Sequence, residues 1–432
     1  MADVVVIGGG LAGSLAALEA QRLGAKVAVA RRGYGATAMS TGAIDIAYSP
    51  ALSPAYQVPR TLAEHVMDII AHRPRHPYGV LGLETSLGGI RDGYALLVKA
   101  LAGGGLDLAP LDLQAENVGF ASSLGAVLPA AAACGAHVGL DLNHPTRGRW
   151  GIVQLAGDGA FDARRVALGI AQDAHAMGND AVVFDVVPVS FGECASPLDL
   201  ARLLDDQSAV DTLASALTTA GATFDGLVVP PVVGLRQHRI TLARLREKVG
   251  KPVVEALGHI PSVPGLRLQL ALDEALAAAG IERLDAVVQV CEERGVLQAV
   301  RTQAGRDVSA GAYVLATGRF IAGGITWDDD GCREAILGLP VVTESGPMEV
   351  DSPHSVVRET PMDSHPLMTA GVLCDADLRP QREAVPAYEN LFAAGMILGG
   401  FASRYALCAD GVAMASAVHA ARQACLCAGG EG

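Results

Sequence analysis

The strongest hydrophobic pattern lies at the start of the chain. Residues 4–7, Val-Val-Val-Ile, form the continuous apolar run expected of a strand buried on both faces of a parallel sheet. Glycines 8–10 follow, residues 14–23 read as a helix stopped by Gly24, and 26–30 form a second apolar run. This is a βαβ unit carrying G-x-G-x-x-G in its turn: Gly8 for the turn, Gly10 for close approach to a phosphate, Gly13 for packing of helix on strand. Its placement between two strands predicts dinucleotide-type binding.

The pattern loosens between residues 51 and 254. Pro50, Pro54, Pro59, Pro74 and Pro77 separate short helical stretches such as 61–72, and apolar runs at 181–187 and 226–233 predict further strands. His72, His76 and His144 fit no metal spacing and read as polar loop histidines. From residue 261 the pattern recovers: a helix over 266–279, a hairpin turning at Gly295, and a strand over 312–315 ending in Ala316-Thr317-Gly318. The run 390–395, ending at Gly395, is followed by Gly399, Gly400 and Gly411, then by a helix over 412–422 whose N-terminal dipole suits an electron-rich group. The expected class is α/β, a Rossmann-type domain with an inserted cap or second domain. The expected division is 1–50, 255–335 and 380–432 for the Rossmann-type domain, 51–254 for an inserted α/β segment, and 336–379 for a cap excursion.

Composition narrows the chemistry. The 432 residues carry a net charge of −14, which disfavours a sequence-independent grip on nucleic acid. No stretch reaches the roughly 18 uninterrupted apolar residues of a spanning helix. Eight cysteines lack a C-x-x-C spacing, so neither a disulfide scaffold nor a metal or iron–sulfur site is expected. The chain begins almost directly on its first strand, and the expected compartment is cytoplasmic.

The end of the second strand departs from the dinucleotide rule. An acidic residue usually meets the adenosine ribose there. Here Arg31 and Arg32 stand in that place, and arginines meet phosphates rather than accept from hydroxyls. Three readings are open: a 2′-phosphate as in NADP, a flavin mononucleotide with no second ribose, or FAD held without the acid.

The opening glycine motif, the hairpin before A-T-G, and the closing N-L-F-A-A-G with its terminal helix resemble the two-domain flavoproteins of the succinate dehydrogenase and fumarate reductase class. More narrowly, VVIGGGLAG at 5–13, MSTGAIDI at 39–46, PSVPGLRLQ at 261–269, YVLATGRFIAGG at 313–324, GVLCDADLRP at 371–380 and NLFAAGMILGGF at 390–401 resemble the family of B subunits of the anaerobic glycerol-3-phosphate dehydrogenases. The resemblance implies a flavin-binding Rossmann-type domain and oxidation of sn-glycerol 3-phosphate to dihydroxyacetone phosphate, with electrons passed to quinone. It implies FMN, with FAD as the alternative. It also implies two partners: a flavoprotein, the A subunit, together with an iron–sulfur protein, the C subunit, which supplies the membrane contact. One departure is Cys408-Ala409-Asp410-Gly411-Val412, where that family favours Cys-Gly-Gly-Gly-Val.

Alcohol oxidation by hydride transfer to flavin needs a base for the hydroxyl proton and cations for the phosphate. The resemblance places Ser40, Thr41 and Gly42 in the loop approaching the flavin, alongside Gly8, Gly10, Gly13, Arg31, Arg32, Thr317, Gly318, Gly395, Gly399, Gly400 and Gly411. His365 and His354 are candidate bases. Arg319, Arg358 and Arg404 are candidate phosphate ligands. Two other roles stay open: an electron-relay or scaffold flavoprotein without its own substrate site, and a fumarate reductase-type enzyme.

Overall fold

The computed structural model describes residues 2–49, 60–156, 158–191, 196–328, 331–343, 346–348 and 365–429. The chain divides into two compact units: Met1–Ala36, Asp45–Lys99 and Leu272–Gly432 form the first; Thr37–Ile44 and Ala100–Ala271 form the second.

The first unit is built on a five-stranded parallel sheet. Strand β1 (Ala2–Ile7) lies between β2 (Val27–Ala30) and the strand Ala310–Leu315, with Glu282–Leu284 outside β2 and Leu391–Ala393 at the other edge. Val4, Val5 and Val6 are fully buried, as the uninterrupted apolar run requires. Helix α1 (Leu11–Arg22) connects β1 to β2, and the terminal helix Ala409–Gly429 packs against it. Small residues dominate that terminal helix, and Ala413, Ala417 and Ala421 are buried. A three-stranded antiparallel sheet follows the helix Val263–Ala278. Its hairpin between Val287–Glu293 and Val296–Thr302 turns through Arg294 and Gly295, both at positive φ, the conformation of a tight primed turn.

The second unit holds a four-stranded parallel sheet in the order Val253–Glu255, Gly226–Val229, Gly148–Leu155, Val182–Val189. Alternate residues feed two cores. Ile152, Val228 and Val254 pack with Val166 and Ile170 of the helix Ala163–Ala176. Val153, Leu227, Val229 and Val253 pack with Leu213 and Leu217 of Gln207–Ala220 and Leu245 of His238–Val249. A sheet that buries both faces against helices is thus present here as well. Its strands at Val182–Val189 and Gly226–Val229 coincide with the apolar runs read from the sequence.

Candidate functional site

In the first unit the glycine motif and the A-T-G turn meet. Gly8 has φ +123°, and a Cβ there would lie 2.1 Å from the Ala316 carbonyl oxygen. A Cβ on Gly13 would lie 1.8 Å from the Gly8 carbonyl oxygen, so the loop folds only with glycine at both positions. Gly10 is the N-cap of α1; no side chain caps the helix, and its first turn holds no acidic residue. The positive end of the helix dipole is therefore not met by a carboxylate of its own turn, as an anion site requires.

The C-terminal motif joins the same end of the sheet. Gly395 (φ +75°) packs against Ala12 of α1, and its N–H donates to Ser416 Oγ of the terminal helix at 2.8 Å. Gly399 packs on Gly371, Gly400 on the Arg75 carbonyl, and Gly411 on the Tyr78 hydroxyl and Ile46. Thr317 Oγ1 is buried with no partner, close to Gly324.

Arg31 is engaged inside the protein. Its Nη1 and Nη2 donate to Asp273 Oδ1 and Oδ2 at 2.5 and 2.9 Å, its stem passes over Gly9, and the guanidinium sits 5.1 Å from the Tyr34 ring centroid. A carboxylate thus stands beyond the end of β2, delivered by the helix Val263–Ala278. Arg32 is exposed.

Arg319 is likewise committed. Nε donates to Met396 O and Nη2 to Leu398 O and Phe401 O at 2.8–2.9 Å, while Nη1 donates to Met368 O. The guanidinium lies 4.6 Å from the Phe401 ring centroid, and burial pushes its pKa down to about 10. Little of the cation is left to face a phosphate. His365 caps the short helix Pro366–Thr369: its Nδ1 accepts from Leu367 N–H at 3.2 Å, so in the neutral ring the proton sits on Nε2, which can only donate. The Arg404 side chain, and residues His354 and Arg358, lie outside the described residues.

Ser40, Thr41 and Gly42 belong to the second unit and pack on the PSVPG segment. Ser262 Oγ donates to Ser40 O at 2.5 Å, Gly258 N–H donates to Thr41 O at 2.8 Å, and Gly42 (φ +90°) sits against Pro264 and His137. Two stretches remote in sequence, 39–46 and 261–269, are in part neighbours.

A carboxyl pair at the N-terminus of the last helix escaped the sequence reading. Asp410 N–H donates to Asp45 Oδ1 at 2.8 Å, and Asp45 N–H donates to Asp410 Oδ2 at 3.1 Å. Burial pushes Asp45 up to about 6; burial and the Asp45 charge push Asp410 well above the carboxylate range. Burial and their mutual charge thus both act against ionising the two carboxyls together. Beside them His76, expected in a polar loop, is buried. It caps the helix Pro77–Leu81 and lies 3.4 Å from Cys408 Sγ. Its pKa falls to about 3 through burial, with Arg73 and Arg319 adding to the shift.

These features fit a flavin nucleotide. Gly8 and Gly13 let the loop close tightly on the Ala316 carbonyl and on itself, α1 has no side-chain cap at its N-terminus, and the Asp273 carboxylate stands beyond the end of β2. Among the described residues no group of His, Cys, Asp and Glu forms a metal site.

Over residues 3–412 the chain matches the family described as FAD binding domain. It is 28% identical over 436 residues to a Vibrio cholerae protein named as the B subunit of an anaerobic glycerol-3-phosphate dehydrogenase, covering 98% of this chain and 96% of that one. A Yersinia pestis protein of the same name is 29% identical over 430 residues, covering 98% and 97%. Among solved structures, 3-ketosteroid delta1-dehydrogenase from Sterolibacterium denitrificans aligns with a TM-score of 0.41 at 12% identity, covering 98% and 99%. A flavocytochrome c3 fumarate reductase aligns at 0.43 and 12%, covering 99% and 78%.

Proposed function

The chain belongs to the FAD binding domain family of flavin-dependent oxidoreductases, and from that premise we propose that it is the B subunit of a complex oxidising sn-glycerol 3-phosphate to dihydroxyacetone phosphate. The observation that carries the reading is the end-to-end likeness to relatives of that name, together with a glycine cradle that admits no side chain. A bound flavin would supply the hydride acceptor. In this chain the α1 N-terminus would hold the phosphate, and Gly395 would keep the terminal helix against the loop. The name of the relatives supports a multi-subunit assembly; a flavoprotein A subunit plus an iron–sulfur C subunit are the proposed partners. No helix among the described residues is long and apolar enough to cross a membrane, so membrane association would come through those partners.

A second reading has its own support. Arg319 spends its donors on main-chain carbonyls and His365 offers a donor rather than a base, which favours an electron-relay role without a substrate site. Two experiments decide. The mass of the flavin released on denaturation tells FMN, expected from the sequence, from FAD. Reduction of an artificial acceptor by glycerol 3-phosphate, with the purified chain alone and with both partners, tells the two roles apart. Turnover by the chain alone supports the dehydrogenase reading, and turnover only in the presence of the flavoprotein partner supports the relay.

A further inference from the structure

Beside the end of β2 lies a cleft of about 460 Å³ of empty space, its open mouth included. Its apolar wall is Val29, Leu276, Ala277 and Ile281; Gly9 of the glycine loop lines it too, and its charged lining is Arg31 and Asp273 together with Glu282 and Arg283. We propose that the Asp273 carboxylate, oriented by Arg31, is the acceptor for the ribose hydroxyls of the adenosine half of FAD. This deepens the flavin reading above and rests on it.

An acceptor for a ribose belongs beyond the end of β2, and the residue that follows the strand is Arg31, which can only donate. Arg31 instead holds a carboxylate in that place with two near-parallel bonds, at 2.5 and 2.9 Å. Both side chains line the cleft, and that of Asp273 is the more exposed, at 20% against 7% for Arg31. The cation also offsets the carboxylate charge, so that a pyrophosphate on the nearby loop meets no net negative group. Gly9 joins loop and cleft, so a ligand anchored by phosphate on the loop has an apolar surface for a base within the same recess. FMN has neither the second ribose nor the base and would leave the cleft unfilled.

The test is titration of flavin-stripped full-length protein with FAD, FMN and ADP, followed by flavin fluorescence and calorimetry. For Asp273→Ala the FAD and ADP dissociation constants should rise by about 10- to 100-fold, the loss of one or two charge-assisted bonds, with FMN within about twofold of wild type. Since Arg31 would be stranded, Arg31→Met with Asp273→Leu removes both charges at similar volume and should show the same selective loss. Unchanged FMN binding reports that the fold is intact. Equal loss of FAD and FMN overturns the assignment, as does a wild type that binds FMN but neither FAD nor ADP. A wild type that binds ADP through Asp273 but no flavin would sink the flavin reading and leave the adenosine acceptor standing.

Discussion

Arg267 and Glu255 grip each other through both arms of the guanidinium, Nη1 to Oε2 at 2.6 Å and Nη2 to Oε1 at 2.9 Å, with side chains 3% and 0% exposed. Arg267 Nε also donates to Gly234 O at 2.6 Å, and Glu255 Oε1 accepts from Val233 N–H at 2.6 Å. Burial alone would raise the Glu255 pKa, yet the guanidinium wins and holds it down at about 2. Arg267 belongs to the PSVPGLRLQ stretch, one of those that carry the family resemblance. Its conspicuous charge is therefore internal scaffolding of the second unit.

Breaking that pair from one side should be severe. Arg267→Ala leaves a buried carboxylate without its cation, a loss of about 3–5 kcal/mol. Arg267→Met combined with Glu255→Leu should recover part of it, because no unpaired charge remains, although Val233 N–H loses its acceptor. Denaturant melts of the two single variants and the double variant check this; a double variant no better than either single one would count against the buried-pair account.

Acid should weaken the second unit through its buried histidines. His238 donates through Nδ1 to Val233 O at 2.6 Å, its Nε2 is buried without a partner, and burial, followed by Arg267, lowers its pKa to about 3. Between about pH 6.5 and 3 the unfolded chain takes a proton there that the folded chain refuses, so stability falls as pH falls. Glu255 adds to the loss as pH drops from about 4.5 toward 2, because its folded pKa is depressed. His238→Gln should flatten the limb between pH 6 and 4 by up to about 1.4 kcal/mol per pH unit, read from melts at fixed ionic strength.

The Asp45–Asp410 pair works in the opposite direction. Both folded pKa values are raised, so the contribution to stability present at low pH is lost as pH climbs through about 6. Asp410→Asn keeps the shape and removes one titrating group. Its melting temperature relative to wild type should therefore rise as pH goes from 5 to 8. A constant offset over that range would show that the pair does not share a proton.

The glycine positions separate by what surrounds them. Gly13→Ala puts a methyl 1.8 Å from the Gly8 carbonyl oxygen, so bound flavin should drop below about a tenth of wild type and the melt should shift down. Gly88 lies inside the helix Leu83–Gly103 with nothing within 4 Å of its Cβ position. Gly88→Ala should leave flavin content alone and stabilise by up to about 1 kcal/mol.

What the sequence disclosed follows the range of the interactions. The β1–α1–β2 unit was legible because its signals, a four-residue apolar run and three spaced glycines, are local. The strand Gly148–Leu155 was not read, since Gly148, Arg149, Gly151 and Gln154 break up an apolar run whose Trp150, Ile152, Val153 and Leu155 are all buried. Asp273 escaped notice because it meets Arg31 across 242 positions, and Asp45 meets Asp410 across 365. The partners of Arg319 were hidden for another reason. Its acceptors are main-chain carbonyls, and no letter of the sequence announces a carbonyl in need of a donor.

Arg319 therefore makes a final prediction in which stability and substrate binding come apart. Its guanidinium ties Met396, Leu398 and Phe401 to Met368, holding the NLFAAGMILGGF segment in shape across Gly395, Gly399 and Gly400. Lysine has a single ammonium and cannot reproduce a planar fork aimed at four oxygens. Arg319→Lys should leave at least two carbonyls unmet at a cost of about 1–3 kcal/mol each, giving a lower melting temperature and weaker flavin retention. If the variant keeps its flavin when assayed in the assembled complex, the apparent KM for glycerol 3-phosphate should stay within about twofold, because the guanidinium is already spent. A tenfold rise in KM with an unchanged melt, about 1.4 kcal/mol of lost binding, would instead put this arginine on the substrate phosphate.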